Sequence, residues 1–73
     1  MTSGTAAEAM AQEVHSHLEE VGGKAVIHLA GSTITLLSGV YDNRLGTIVG
    51  FGLDRKYIIN VSAMLAVELA ETA

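Results

Sequence analysis

Between Val26 and Val49 the chain reads VIHLAGSTITLLSGVYDNRLGTIV. This run is rich in β-branched residues and is punctuated twice by turn formers, so it constrains the fold more than any other stretch. A short strand is expected from Ala25 to Ala30, with Ile27 and Leu29 on one face and Val26, His28 and Ala30 on the other. Gly31-Ser32 suits a tight hairpin turn. Thr33 to Tyr41 then reads as a long second strand, and Gly39 inside it predicts a bend or bulge. Asp42-Asn43-Arg44 is a second turn, because Asp and Asn side chains bond nearby backbone amides. Leu45 to Gly52 is a third strand. It places Leu45, Thr47, Val49 and Phe51 on one face and Gly46, Ile48, Gly50 and Gly52 on the other. Three glycines on one face predict close backbone approach or strong twist.

The segment before this run has a different period. Thr5-Ala6-Ala7-Glu8 fits a capping box, with Thr5 as the N-cap. Ala7, Met10, Val14, Leu18 and Val21 then recur at steps of three and four, which predicts one apolar helical stripe. The helix is expected over about residues 6–20 and to end at Gly22-Gly23. After the third strand, Leu53-Asp54-Arg55 is a short charged turn and Lys56 to Val61 a fourth strand. Ser62 to Glu71 reads in two ways. As a strand it has Ala63, Leu65, Val67 and Leu69 on one face; as a helix it has Ser62 as N-cap. The strand is favoured, because four tightly linked strands leave an open barrel that needs a fifth.

Seventy-three residues make one domain, residues 1–73, and a chain this short buries a modest fraction of its surface. Small domains gain stability from disulfides, metals or oligomerisation. The sequence has no cysteine, which excludes disulfides and thiolate metal sites. With 49% apolar residues, oligomerisation is the expected remedy. His15 and His17 are two apart and point to different faces of the helix, so no metal site is expected there. Glu13 and His17, four apart, are expected to pair weakly. His28 is expected to be a partly buried, hydrogen-bonded strand residue. No cofactor is implied, and no nucleophile–base pair, phosphate loop or paired carboxylates stand out, so the chain is not expected to be an enzyme. The N-terminal TSGTAAEAMAQE lacks a basic start and an apolar block, and no run approaches the ~20 apolar residues of a membrane span. The expectation is a cytoplasmic protein without a membrane partner.

The net charge of −4 is unevenly placed. Glu8, Glu13, Glu19 and Glu20 carry it, while Lys24, Arg44, Arg55 and Lys56 balance Asp42, Asp54, Glu68 and Glu71. This counts against a strong non-specific nucleic-acid binder, whose affinity needs many cations. Any such contact must be local and repeated by an oligomer.

The order of helix and strands, and two spacings, resemble the Sm-like family of Sm, LSm and Hfq proteins. Leu29-Ala30-Gly31 is followed, eleven positions after the glycine, by Val40-Tyr41-Asp42, as in the first Sm motif. Ile58-Ile59-Asn60-Val61-Ser62-Ala63-Met64-Leu65-Ala66-Val67 is similar to the family's last two short strands. The resemblance covers about residues 25–69. It departs at Leu36, where the family has a glycine, and at Gly46, where many Sm proteins carry an Asn that reads a base. It departs again at Asn60-Val61-Ser62, where Sm proteins have Arg-Gly and Hfq has Tyr-Lys-His. The likeness implies a mainly β fold: an N-terminal α-helix, then a small, strongly bent, five-stranded antiparallel Sm-like (SH3-like) barrel. It also implies a homo-oligomeric ring of five to seven subunits that binds single-stranded RNA, in RNA chaperoning or processing. A ring used for protein assembly without RNA is the alternative. One strand, Leu45 to Phe51, is also similar to the small-barrel dihydrofolate reductase carried on plasmids. The later active-site segment of that enzyme has no counterpart here.

By the resemblance, RNA lies on the loops after the second and fourth strands. The candidate RNA-binding residues are therefore Asp42, Asn43 and Arg44 in one loop, and Asn60 and Ser62 in the other. Arg44 takes the place of a base-stacking side chain, and a guanidinium plane both stacks on a base and offsets phosphate charge. Asn43 and Asn60 offer amides to a base edge. Arg55-Lys56, the one basic dipeptide, would form a collar in a ring; otherwise it is a solvated turn at a strand edge.

Overall fold

The computed structural model describes residues 5–71. It is mainly β, with one N-terminal helix and six strands in two three-stranded antiparallel sheets. Helix α1 (Ala6–Ser16) starts at the expected place. The Glu8 amide donates to Thr5 Oγ1 at 3.1 Å, and the Thr5 amide donates to Glu8 Oε1 at 3.0 Å. This reciprocal pair satisfies two amides that the first helical turn leaves free.

The helix runs on into a π-helical turn, His17–Val21, closed by the Gly22 amide donating to the His17 carbonyl at 3.2 Å. Gly22 ends it at φ +74°, a left-handed conformation that glycine adopts without a Cβ clash. The wider turn changes the apolar stripe. Ala11, Val14 and Leu18 are buried, Ala7 and Met10 are half-buried, and Val21, expected on the stripe, is rotated into solvent.

The strands are β1 (Lys24–Leu29), β2 (Ser32–Leu36), β3 (Ser38–Asp42), β4 (Thr47–Phe51), β5 (Lys56–Asn60) and β6 (Ala66–Ala70). One sheet has the order β2-β1-β6 and the other β3-β4-β5. The five-stranded barrel is corrected on two points. The long second strand is two strands, and the sheets do not close on each other. The break falls at Leu37, two residues before Gly39. Leu36 points into the core, Leu37 and Ser38 are both exposed, and Gly39 again faces inward. Two successive outward residues interrupt the pleat, so the chain leaves one sheet and enters the other. The Leu37 amide still donates to the Phe51 carbonyl at 2.8 Å. Gly39 instead lies under the helix, where an added Cβ would sit 3.3 Å from Leu18 Cδ1.

The ambiguous C-terminal segment divides. Val61–Ala63 is a 3-10 turn, and only Ala66–Ala70 is a strand. Asn60, not Ser62, caps the turn: its Oδ1 accepts from the Ser62 amide at 3.0 Å. The turn carries the chain away from β5, so β6 pairs with β1, with Ile27 opposite Val67. Among the described residues this leaves β5 and β6 each paired with a strand on one side only.

The core lies between the sheets and under the helix. Ile27, Leu36, Ile48 and Val14 are its largest fully buried side chains, joined by Ile59, Val61 and Met64. The glycine face of β4 is the core face, as Ile48 and Gly50 are both buried. No helix among the described residues is long and apolar enough to cross a membrane.

Candidate nucleic-acid interface

Two segments far apart in sequence meet at one end of the β3-β4-β5 sheet. The β3–β4 turn ends at Gly46, whose φ of +70° suits glycine. The Gly46 carbonyl accepts from the Val61 amide, in the 3-10 turn, at 3.0 Å. Across the sheet Asp42 stands opposite Thr47, and Thr47 opposite Asn60. The five candidate residues Asp42, Asn43, Arg44, Asn60 and Ser62 therefore share one edge of the molecule.

Their side chains are not equally available. Asp42 Oδ1 accepts from the Arg44 amide at 2.9 Å and from the Leu45 amide at 3.4 Å. This carboxylate holds the turn, as Asp does at such positions. Asn60 Oδ1 is engaged by Ser62. Arg44 lies with Nε 3.8 Å from Asp42 Oδ1, but its side chain is 88% exposed. An ion pair this exposed contributes little to stability and leaves the guanidinium plane accessible. Asn43 and Ser62 are also exposed.

Asn43 opens onto a groove of about 410 Å³ between the turn and the start of the helix. Its other walls are Tyr41 and the helix face formed by Thr5, Glu8, Ala9 and Gln12. Tyr41 and Gln12 were not among the sequence candidates. Residues 5, 8, 9 and 12 share a helix face by their spacing, which the sequence displays. Which loop that face meets depends on where the helix docks, and local sequence carries no signal of that.

The docking is fixed by two histidines. The Tyr41 amide donates to His15 Nδ1 at 3.2 Å. His17 Nε2 lies 2.8 Å from the Ala70 carbonyl oxygen and donates to it. The two rings thus tie the helix to β3 in one sheet and to β6 in the other, as their divergent directions allow. Gly23 makes room for the second contact, since a Cβ there would lie 2.7 Å from His17 Nε2. The expected Glu13–His17 pair is replaced by His15–Glu19, with 3.5 Å between Nε2 and Oε1. His28, half-buried, reaches Glu68 across the β1–β6 pair at 3.1 Å.

The remaining cations are elsewhere. Arg55 and Lys56 lie at the β4–β5 hairpin, the opposite end of this sheet. Lys24 lines a second groove at that same far end, of about 380 Å³, with Leu37, Leu53 and Tyr57. Arg44 is therefore the one cation at the candidate edge among the described residues.

No family model matches the chain, and no curated protein or solved structure matches it.

Proposed function

We propose that this chain is an Sm-like RNA-binding protein that acts as a homo-oligomeric ring of five to seven subunits, in RNA chaperoning or processing. The observation that carries the reading is the hydrogen bond from Val61 to Gly46. It joins the two loops on which the family resemblance puts RNA into one surface, beside the Tyr41–Asn43 groove. Tyr41 supplies an aromatic ring, Asn43 and Gln12 supply amides, and Arg44 supplies a planar cation. These are the side-chain chemistries that hold unstacked bases of a single strand.

The open strand edges support the ring. Val61 and Arg55, which flank β5, bond Gly46 and Gly52, which flank β4, so by alternation the backbone groups of Lys56, Ile58 and Asn60 turn away from the sheet. Among the described residues no strand pairs with the outer edge of β6. Two different open edges on one chain pair head to tail, and such pairing closes into a ring when the rotation permits.

The test is binding of U-rich and A-rich oligonucleotides by fluorescence anisotropy. The wild type is expected to bind more weakly as salt rises. Arg44→Ala is expected to lose about tenfold or more in affinity, the scale of one stacking contact. Equal affinity of the variant would remove Arg44 from the site.

A second reading, a ring for protein assembly without RNA, is favoured by the position of three of the four cations at the far end of the sheet. It predicts a ring with no measurable affinity for either oligonucleotide at any salt.

A further inference from the structure

The outer face of the β3-β4-β5 sheet, opposite the core, is apolar at its centre. Register places Val40, Val49 and Ile58 in one row across the three strands, and Phe51 follows on the same face of β4. Val40 is 56% exposed, Phe51 52% and Ile58 68%. These side chains alternate with the inward Tyr41, Ile48 and Ile59, so they belong to a sheet face and not to mobile loop tips. Contiguous exposed apolar surface of this kind marks an interaction site.

The face has its own symmetry. Asp42 ends β3 at one corner, and Lys56 starts β5 at the diagonally opposite corner. A two-fold axis lying in the face, through Val49 along the other diagonal, exchanges these corners. A second copy turned about that axis brings its Lys56 over Asp42 and its Asp42 over Lys56. The same rotation sets Phe51 on Val40 of the other copy and Val49 on its own equivalent. The strands then cross near a right angle, which is one of the two standard arrangements for packed sheets. Among the described residues Lys56 has no partner ion, while Asp42 is paired as an ion only with the exposed Arg44, with Nε at 3.8 Å, and Arg55 Nε faces Asp54 at 3.6 Å.

We infer that this face is a self-association surface, and that its occupant is a second copy of the chain in an orthogonal, two-fold sheet-on-sheet contact. It uses the sheet face and leaves the β5 and β6 edges free, so it goes beyond the ring and stands without it. A ring carrying it pairs with a second ring or with another copy.

The test exploits the absence of cysteine from the sequence. Val49→Cys places one thiol on the proposed axis. With a short bis-maleimide it is expected to give cross-linked pairs as the main product on a denaturing gel. Thr33→Cys, exposed on the outer face of the other sheet, is expected to stay single. Phe51→Glu, folded by circular dichroism, is expected to halve the wild-type particle mass. A Val49→Cys protein that stays single, or a Phe51→Glu protein of unchanged mass, overturns the proposal. So does a wild type that stays single but co-sediments with phosphatidylcholine vesicles, which would give the face to a lipid surface. The ring is judged separately. A particle of ring mass unaffected by Phe51→Glu keeps the ring and removes this contact. A two-chain particle abolished by Phe51→Glu keeps the contact and removes the ring.

Discussion

Gly50→Ala is expected to be strongly destabilising, by about 3 kcal/mol or more. Gly50 sits on the core face of β4, opposite Gly39 of β3. A Cβ built there lies 2.5 Å from the Ser38 carbonyl oxygen and 3.0 and 3.2 Å from the two Leu36 methyl carbons. The methyl groups belong to a side chain and can turn, but the carbonyl belongs to the neighbouring strand. Accepting the Cβ therefore means separating β3 from β4 just where the chain crosses between sheets. Overpacking of a core costs about 1–3 kcal/mol when side chains can absorb it, and more when backbone must move. A domain of this length has roughly 4–11 kcal/mol to lose, at the usual stability per residue. The variant is expected to lose about 3 kcal/mol or more, read as a lower urea midpoint by circular dichroism. A midpoint equal to that of the wild type would show that the close approach at Gly50 does not exist. Gly52→Ala is the comparison. Its Cβ would come no nearer than 3.1 Å to Thr35 O and Tyr57 Cε2, so its effect is expected to be smaller.

Leu36→Ala is expected to cost about 2–5 kcal/mol, the range for removing a fully buried leucine. Leu36 is the last residue of β2, and its side chain lies directly over Gly50 of the other sheet. It bridges the two sheets where no hydrogen-bonded ladder joins them. Its loss leaves a cavity at that junction of the buried core. The same urea titration reads this effect, and a loss below about 1 kcal/mol would mean that the junction collapses freely. Combining the substitutions is informative because the sites touch. Leu36→Ala removes the methyl clash of Gly50→Ala but leaves the Ser38 carbonyl in place. The double variant is therefore expected to be no more stable than Gly50→Ala alone.

These two residues also show what the sequence made legible. The glycine face of the third predicted strand signalled close approach, and Gly50 realises it. The neighbour that makes the approach close, the Ser38 carbonyl, depends on pairing between strands and is invisible locally. The helix start was readable because a capping box is a local arrangement, and so was its glycine end. The π-helical turn at His17–Val21 was not, since it depends on where the helix must meet the sheets. Gly39 is the expected bend because glycine permits one. The break instead fell at Leu37, where two outward residues in succession interrupt the pleat, and residue type alone does not mark that position. The final segment read as a strand correctly from Ala66 onward. Its first residues formed a 3-10 turn through the Asn60 side chain, a capping option that competes with extended structure.

For the candidate interface, the sequence displays the two turns but not the groove between the β3–β4 turn and the helix. Asp42 and Asn60 were candidates for RNA contact, and in the fold both side chains hold turns. Arg44 and Asn43 stay exposed. Tyr41 and Gln12 enter only because His15 anchors the helix on β3. The edge of the molecule thus rests on a structural pair, Asp42 and Asn60, that presents the chemically available side chains beside them.

The mass of the purified protein in solution, by sedimentation or light scattering, tests the proposed assembly most directly. The account predicts a particle of five to seven chains of 7.6 kDa, or twice that number where sheet faces also meet. A particle of 7.6 kDa at every concentration would contradict it.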